Sequence, residues 1–408
     1  MNAWKRNLYI LMVCQFLVFG SMSMVMPFLP LYLKELGLEG QETIQFWAGI
    51  IFGVNFLSQF LVAPLWGSLG DRYGRKIMVL RSGFGMSVIL CLTAMVTNHW
   101  QLLALRMLNG LVSGFIPASV SLVATNTPKE NVGRSLGMLQ SGAVGGSIMG
   151  PFIGGILAEI VGFRQIFFLT AAVLCLATLV VLVAVREEFK PEGQNRTGGL
   201  WQSGKRILRD PRLQVLFSVA FLLQFAMLGP MPMMSLFVED LGVPGGYVAF
   251  FAGLVAAAMG AANMLASPLL GRWGDRIGSG RVLLYAMIGA ALIFVPHAMV
   301  LSVWQLLALR FLLGLCAGGL LPSLNAMIRR LAPQGMESTA YGFSTSAVSL
   351  GNMLGPVTYG YLSGIIGIRG VFLLTAGLLA ANAVWLGRSL KKRASSEADG
   401  NSRYRSTA

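Results

Sequence analysis

Twelve apolar stretches, each long enough to cross a bilayer as a helix, govern what this 408-residue chain can fold into. They run over 8–33, 46–68, 77–96, 100–124, 133–158 and 163–185. After a polar stretch they resume over 213–238, 247–270, 281–301, 303–328, 338–365 and 369–387. A bilayer core holds no water to satisfy a peptide N–H or C=O, so each stretch must close its own hydrogen bonds as a helix. The ten-residue alternating strands of a membrane barrel do not occur. An all-α membrane protein is therefore expected. Composition agrees: 55% of residues are hydrophobic and 12% charged, where a soluble domain carries about 25% charged residues. Disorder, a secreted disulfide scaffold and an ordinary cytosolic enzyme are excluded. Cys14, Cys91, Cys175 and Cys316 each lie inside an apolar run and read as small core residues. With two histidines and no CxxC pair, no metal site is expected. Lys5 and Arg6 resemble the start of a signal peptide, but the apolar run continues to Leu33 without a small-residue cleavage site. The first stretch therefore reads as a retained span.

Charge placement sets the expected orientation. Of 31 Lys and Arg residues, 26 fall on the segments that share a side with the N-terminus, counting Arg72, Arg75, Lys76 and Arg81 to the region between spans two and three. Three (Lys34, Arg164 and Arg369) fall on the opposite side, and Arg106 and Arg310 are the two placed within spans. Basic residues stay cytoplasmic in membrane proteins, so both termini are expected inside a cytoplasmic membrane. The net charge of +15 then faces anionic lipid, and no nucleic-acid partner is needed.

The chain also repeats itself. Trp100-Gln-Leu-Leu-Ala-Leu-Arg106 recurs unchanged as Trp304-Gln-Leu-Leu-Ala-Leu-Arg310, and Gly67, Asp71, Arg72 and Gly74 recur as Gly271, Asp275, Arg276 and Gly278. Gly150-Pro151 matches Gly355-Pro356 one residue further on. Two six-helix bundles of equal topology follow: 1–185 and 213–387, joined by a cytoplasmic loop at 186–212 and ended by a tail at 388–408. Within the loop, Leu200, Trp201, Ile207 and Leu208 suit either a short surface helix or a loose linker. Parallel six-helix repeats are the architecture of transporters that rock two bundles about a central cavity. No G-x-x-x-x-G-K-[ST] loop is present, so a nucleotide-driven pump is not expected.

Gly67-Ser-Leu-Gly-Asp71-Arg72-Tyr-Gly74-Arg75-Lys76 resembles the signature loop of the major facilitator superfamily, and Gly271–Gly278 resembles a weaker second copy. Gly146-Ser-Ile-Met-Gly150-Pro151-Phe-Ile-Gly154-Gly155 is similar to the antiporter motif of that family's twelve-helix drug:proton antiporter branch. The resemblance implies proton-driven efflux of amphipathic drugs by alternating access, with no enzymatic step and no cofactor. It also implies a monomer working among membrane lipids. Uptake or exchange of a small polar or anionic metabolite, and movement of a lipid or lysolipid, are the competing expectations. By the same resemblance Asp71 caps the helix that starts near Glu337 and Ser338, Asp275 does so near Asn131, and both contacts hold the inner side closed. Gly146, Gly150 and Gly154 share one helix face and permit close backbone contact, while Pro151 bends the helix.

Arg106 and Arg310 are costly within a membrane, about 2.5–3.5 kcal/mol each on insertion scales. The resemblance assigns Arg106 to proton or substrate coupling, with Arg310 as its repeat mate; snorkelling to the surface is the alternative for both. The first span carries no carboxylate, and Glu159 is the most embedded acidic candidate, with an ion pair to Arg164 as its plainer role. Spans 1, 4, 7 and 10 are implied to line the cavity. The first offers Gln15, Phe19, Met22 and Met26 at helical spacing, and the seventh offers Gln224, Met227 and Met231. Asn109, Asn325, Tyr341 and Asn352 are further polar candidates, and neither His99 nor His297 is expected to bind ligand.

Overall fold

The computed structural model describes residues 3–128, 131–187, 205, 207–333 and 337–406, with the side chains of Pro64, Ser68, Asp71, Gly245, 337–338 and 391–406 left undescribed. Leu200 and Trp201 of the middle loop lie outside these residues, whereas Ile207 is buried and Leu208 exposed.

Eleven helical segments among the described residues are long and apolar enough to cross a membrane, and the last folds back on itself to give twelve crossings. The first crossing is α1 (Ala3–Val25), a 3-10 turn at Met26–Phe28, and α2 (Leu29–Glu35). Then follow α3 (Gln41–Tyr73), α4 (Arg75–Thr93), α5 (His99–Val112), α6 (Phe115–Asn126), α7 (Val132–Val161) and α8 (Phe163–Ala184). The second half holds α9 (Pro211–Leu228), a 3-10 turn at Met231–Met233, α10 (Met234–Asp240), α11 (Val248–Ile277), α12 (Ser279–His297) and α13 (Val303–Leu331). Gly367, at φ 71°, divides the final segment into α14 (337–366) and α15 (368–406).

Met26-Pro27 and Met231-Pro232 place the same 3-10 turn in the first and seventh crossings. Proline removes a backbone donor and tightens the helix at that point. The repeat fails at crossings four and ten. Gly114, at φ 135°, separates α5 from α6, while α13 runs unbroken through Gly318. Glycine is needed at 114 because an L side chain is strained at that φ.

One face of the molecule gathers the chain's start and the ends of α3 and α8. Asn7 Nδ2 donates to the Arg186 carbonyl at 2.6 Å, and Glu187 accepts from the backbone N–H groups of Arg75 and Lys76 at 2.9 and 2.8 Å. Glu187 thus caps α4, where unpaired N–H groups favour an anion. This is the terminal face. The opposite, far face carries Lys34, Arg164 and Arg369. Arg164 donates to the Val96 carbonyl, and its repeat mate Arg369 to those of Ala298 and Val300. The four cysteines are free.

Candidate functional site

The boundary between the bundles is tight at the far face. A Cβ built on Gly360 of α14 would lie 2.7 Å from the Gln45 carbonyl oxygen of α3, and one on Gly155 of α7 would lie 2.7 Å from the Ala249 carbonyl oxygen of α11. Gly53 of α3 and Gly253 of α11 are crowded by the facing Met353 and Pro151 in the same way. Polar contacts reinforce the closure. Lys34 pairs with Glu239, Gln41 Nε2 donates to Asp240 at 3.0 Å, and the Glu159 carboxylate accepts from the Ala249 backbone N–H at 2.7 Å. Glu159 therefore caps α11 from the other bundle. The ion-pair partner of Arg164 is Glu35, at 3.6 Å, and not Glu159.

Glycines toward the terminal face are uncrowded. A Cβ on Gly67 of α3, Gly133 or Gly137 of α7, Gly271 of α11 or Gly342 of α14 would meet nothing within 4 Å. Asp275 is exposed and makes no hydrogen bond or ion pair with any described residue, so the contact expected near Asn131 is not made. Asp71, Glu337 and Ser338, which the sequence pairs there, have side chains outside the described set. Arg72 stacks on neighbouring Tyr73, with its Cζ 5.4 Å from the ring centre, and Arg276 is exposed. Gly74, at φ 102°, makes the turn between α3 and α4.

Gly146, Gly150 and Gly154 lie against α1, facing the backbone of Phe16, Gly20 and Met24, so the glycine row sits within the first bundle. Pro151 faces outward from it onto Gly253 of α11. One helix thereby presents two close contacts, one inside its bundle and one across the boundary.

The polar candidates separate by position. Gln15 is fully buried, and both its side-chain polar atoms lack a partner among the described residues. Phe19 adjoins Gly146, and Met22, Met26, Met227 and Met231 are half-buried. Gln224 lies against Gly351 of α14, and Asn352 Oδ1 is buried without a partner among the described residues. Asn109 turns into the first bundle, where its Nδ2 donates to Asn55 Oδ1 at 3.0 Å. Asn325 is exposed, and its carbonyl accepts from the Tyr341 hydroxyl at 3.2 Å.

The repeat-related arginines are not equivalent. Arg310 is 3% exposed, and its guanidinium donates to the sulfurs of Met259 and Met234 at 3.7 and 3.4 Å. It does not snorkel. Arg106 is half-buried, with Nε enclosed and without a partner among the described residues. His297 is fully buried, its Nδ1 2.7 Å from the Ile293 carbonyl oxygen.

Arg81, which charge pattern groups with the loop at Arg75 and Lys76, is a third embedded arginine. Arg81 lies well inside α4, and its Cζ sits 3.5 Å from the centre of the Trp66 ring. Its Nη2 donates to the Ser113 carbonyl at 3.2 Å, and Trp66 Nε1 donates to that of Leu111 at 2.7 Å. These are carbonyls freed where α5 breaks, so the break is satisfied from α3 and α4. Beside it a cavity of about 170 Å³ opens between α3, α4 and α6. An arginine within a helix-turn of a basic loop looks like part of that loop. The available signal was its place inside the 77–96 stretch.

Comparison with known proteins gives a consistent picture. The model of the Major Facilitator Superfamily matches residues 11–265 and 246–406. The chain is 39% identical over 391 residues to the multidrug resistance protein MdtG of Escherichia fergusonii, covering 96% of each chain. It is 38% identical to the MdtG of Salmonella typhimurium over the same shares. Among solved structures, nucleoside transporter NupG superposes with a TM-score of 0.78 at 16% identity, covering 96% of this chain and 100% of that one. A bacterial homologue of the human lysosomal transporter Spinster, described as inward-facing and unoccupied, gives 0.77 at 15% identity over 95% and 96%. These two likenesses concern the fold alone.

Proposed function

Because this chain belongs to the Major Facilitator Superfamily, we propose that it is a drug efflux transporter that exchanges amphipathic molecules for protons by alternating access. The single observation that carries efflux is the 39% identity across 96% of the chain to a multidrug resistance protein. Alternating access draws support from the close backbone contacts between the two bundles at the far face, a boundary built of small residues that two bodies can part along.

The basic excess on the terminal side supports a cytoplasmic terminal face in an inner membrane, with both termini inside. The protein works as a monomer in lipid. Drug enters from the terminal face and meets Phe19, Met22 and Met26 with Gln224, Met227 and Met231. Methionine is flexible and polarizable and suits varied apolar ligands. Closure of the terminal face brings Asp71 to the start of α14 and Asp275 to that of α7, while the far-face contacts release. Glu159 couples this movement to protons: a proton arriving from the far side neutralises the carboxylate, and the cap on α11 weakens. Arg106 and Arg310 hold substrate or charge during the exchange.

The test is dye transport by purified protein in proteoliposomes under an imposed pH gradient, with proton flux read in parallel. Dye movement that ignores the gradient removes the proton from the proposal. A gradient-driven flux of polar metabolites without dye movement removes the drug.

A further inference from the structure

We propose that the cavity between α3, α4 and α6 binds a single oxyanion head group, a carboxylate or a phosphate, carried on an apolar tail. The site lies within the first bundle and does not depend on proton coupling.

The argument begins with donors. The break between α5 and α6 frees carbonyls that must be satisfied in a water-poor setting. Trp66 takes one and Arg81 Nη2 another. Capping at Ser113 needs one donor, yet a half-buried arginine supplies it. Arg81 Nε and Nη1 are both enclosed and have no partner among the described residues. Enclosed donors left idle are costly unless something accepts from them.

The surroundings say what that acceptor is. The guanidinium lies over the Trp66 ring, its Cζ 3.5 Å from the centre, which holds it in place beside the cavity. No acidic residue is among the described residues of the cavity wall, so no internal carboxylate competes. Ser121 and Gln59 add neutral polar groups and Arg75 a second basic one, while Ala63, Met78, Pro117 and Ala118 supply an apolar stretch of wall. Planar, charge-assisted recognition of an oxyanion is what a stacked arginine does best. The apolar wall accommodates the tail.

The second bundle has no such site. At the repeat-related positions Tyr285 replaces Arg81 and Leu270 replaces Trp66, and Tyr285 is exposed. α13 continues through Gly318, where a Cβ would press on Ala266. The cavity is thus a property of this half and not of the fold.

Equilibrium binding tests the site without any gradient, so its failure is distinct from failure of proton-coupled efflux. Radiolabelled laurate and its uncharged methyl ester are titrated onto the purified full chain in dodecyl maltoside. Wild type is expected to bind laurate about tenfold more tightly than the ester, the scale of one charge-assisted contact. Arg81→Gln, whose amide can still donate to Ser113, is expected to bind both alike and to leave the ester's affinity unchanged. Should that variant fail to fold, Ala118→Asp places a carboxylate in the wall and is expected to erase the same preference. Equal binding of laurate and ester by wild type, or a preference that survives in a folded variant, overturns the site. Competition then identifies the source of the anion. Displacement of laurate by phosphatidylglycerol but not phosphatidylcholine assigns the site to lipid head groups, and no displacement by either assigns it to free amphiphiles.

Discussion

Glu159 of α7 accepts a hydrogen bond from the backbone N–H of Ala249 in the first turn of α11, 2.7 Å away and in the other bundle. The Phe250 N–H adds a longer contact to the same oxygen at 3.4 Å. The bond closes the far face with a carboxylate on a helix start, the device that the sequence suggests for Asp71 on the opposite face. Two far-face cations are already paired elsewhere, Lys34 with Glu239 and Arg164 with Glu35. Glu159 therefore acts on α11 and not as an ion-pair partner.

Glu159→Gln keeps the shape and removes the charge. An N-cap contributes about 1 kcal/mol, or roughly fivefold in a two-state population. The variant is expected to open the far face more often and to lose most of the pH dependence of transport. Distance measurements between spin labels on the far ends of α3 and α14 check the first outcome. An unchanged distance distribution sinks the latch.

Steric closure is tested separately at Gly253. A Cβ there collides with the Pro151 carbonyl oxygen, a backbone atom that cannot turn aside. Gly253→Val is expected to hold the far face apart and to abolish transport while the helices remain inserted. Cysteine accessibility near Gln45 should rise. Wild-type transport by a well-expressed variant contradicts the assignment of this contact to closure.

Much of this arrangement was legible in the sequence. Each of the twelve stretches is a helix, because no other backbone satisfies itself in lipid. Helices overrun the expected limits, as α3 does to Tyr73 and α11 to Ile277, since a helix need not stop where the apolar run does. The break at Ser113-Gly114 was hidden because glycine is common in these helices and marks a break only through its φ. Arg81 was masked by its basic neighbours. The bond from Glu159 to Ala249 spans 90 residues and two bundles, a pairing that no local pattern encodes. Asn109 lies on the cavity-lining helix of the resemblance, yet Asn55 turns it inward.

Asp71→Asn addresses the terminal face. Its neutral amide loses the charge expected to cap the start of α14 when that face closes. The variant should insert and fold normally, transport poorly, and favour the open terminal face. Unchanged transport with an unchanged population rejects the gate.

Orientation is open to chemical labelling. In a cysteine-free background, Gly40→Cys should react with an impermeant maleimide added outside intact cells, and Arg196→Cys should react only after permeabilisation. The charge asymmetry demands this result. Ready reaction of position 196 in intact cells inverts the topology and with it the direction of transport.

Arg106 and Arg310 share a sequence context but should answer the same substitution differently. Arg310 is 3% exposed and bridges the sulfurs of Met234 and Met259. A lysine there is a compact, strongly hydrated charge that cannot bridge two acceptors on separate helices. Arg310→Lys is therefore expected to destabilise the second bundle, by about 1–3 kcal/mol, as buried polar contacts are lost. Thermal unfolding in detergent reads this directly. Arg106 is half-buried, with an unpartnered Nε and no described hydrogen bond to lose. Arg106→Lys should leave the melting temperature unchanged. If Arg106 grips a substrate or a carboxylate during the cycle, the lysine variant should still transport poorly, because it lacks the planar fork of donors. Full transport by Arg106→Lys would instead make Arg106 a surface anchor, since a flexible ammonium snorkels equally well.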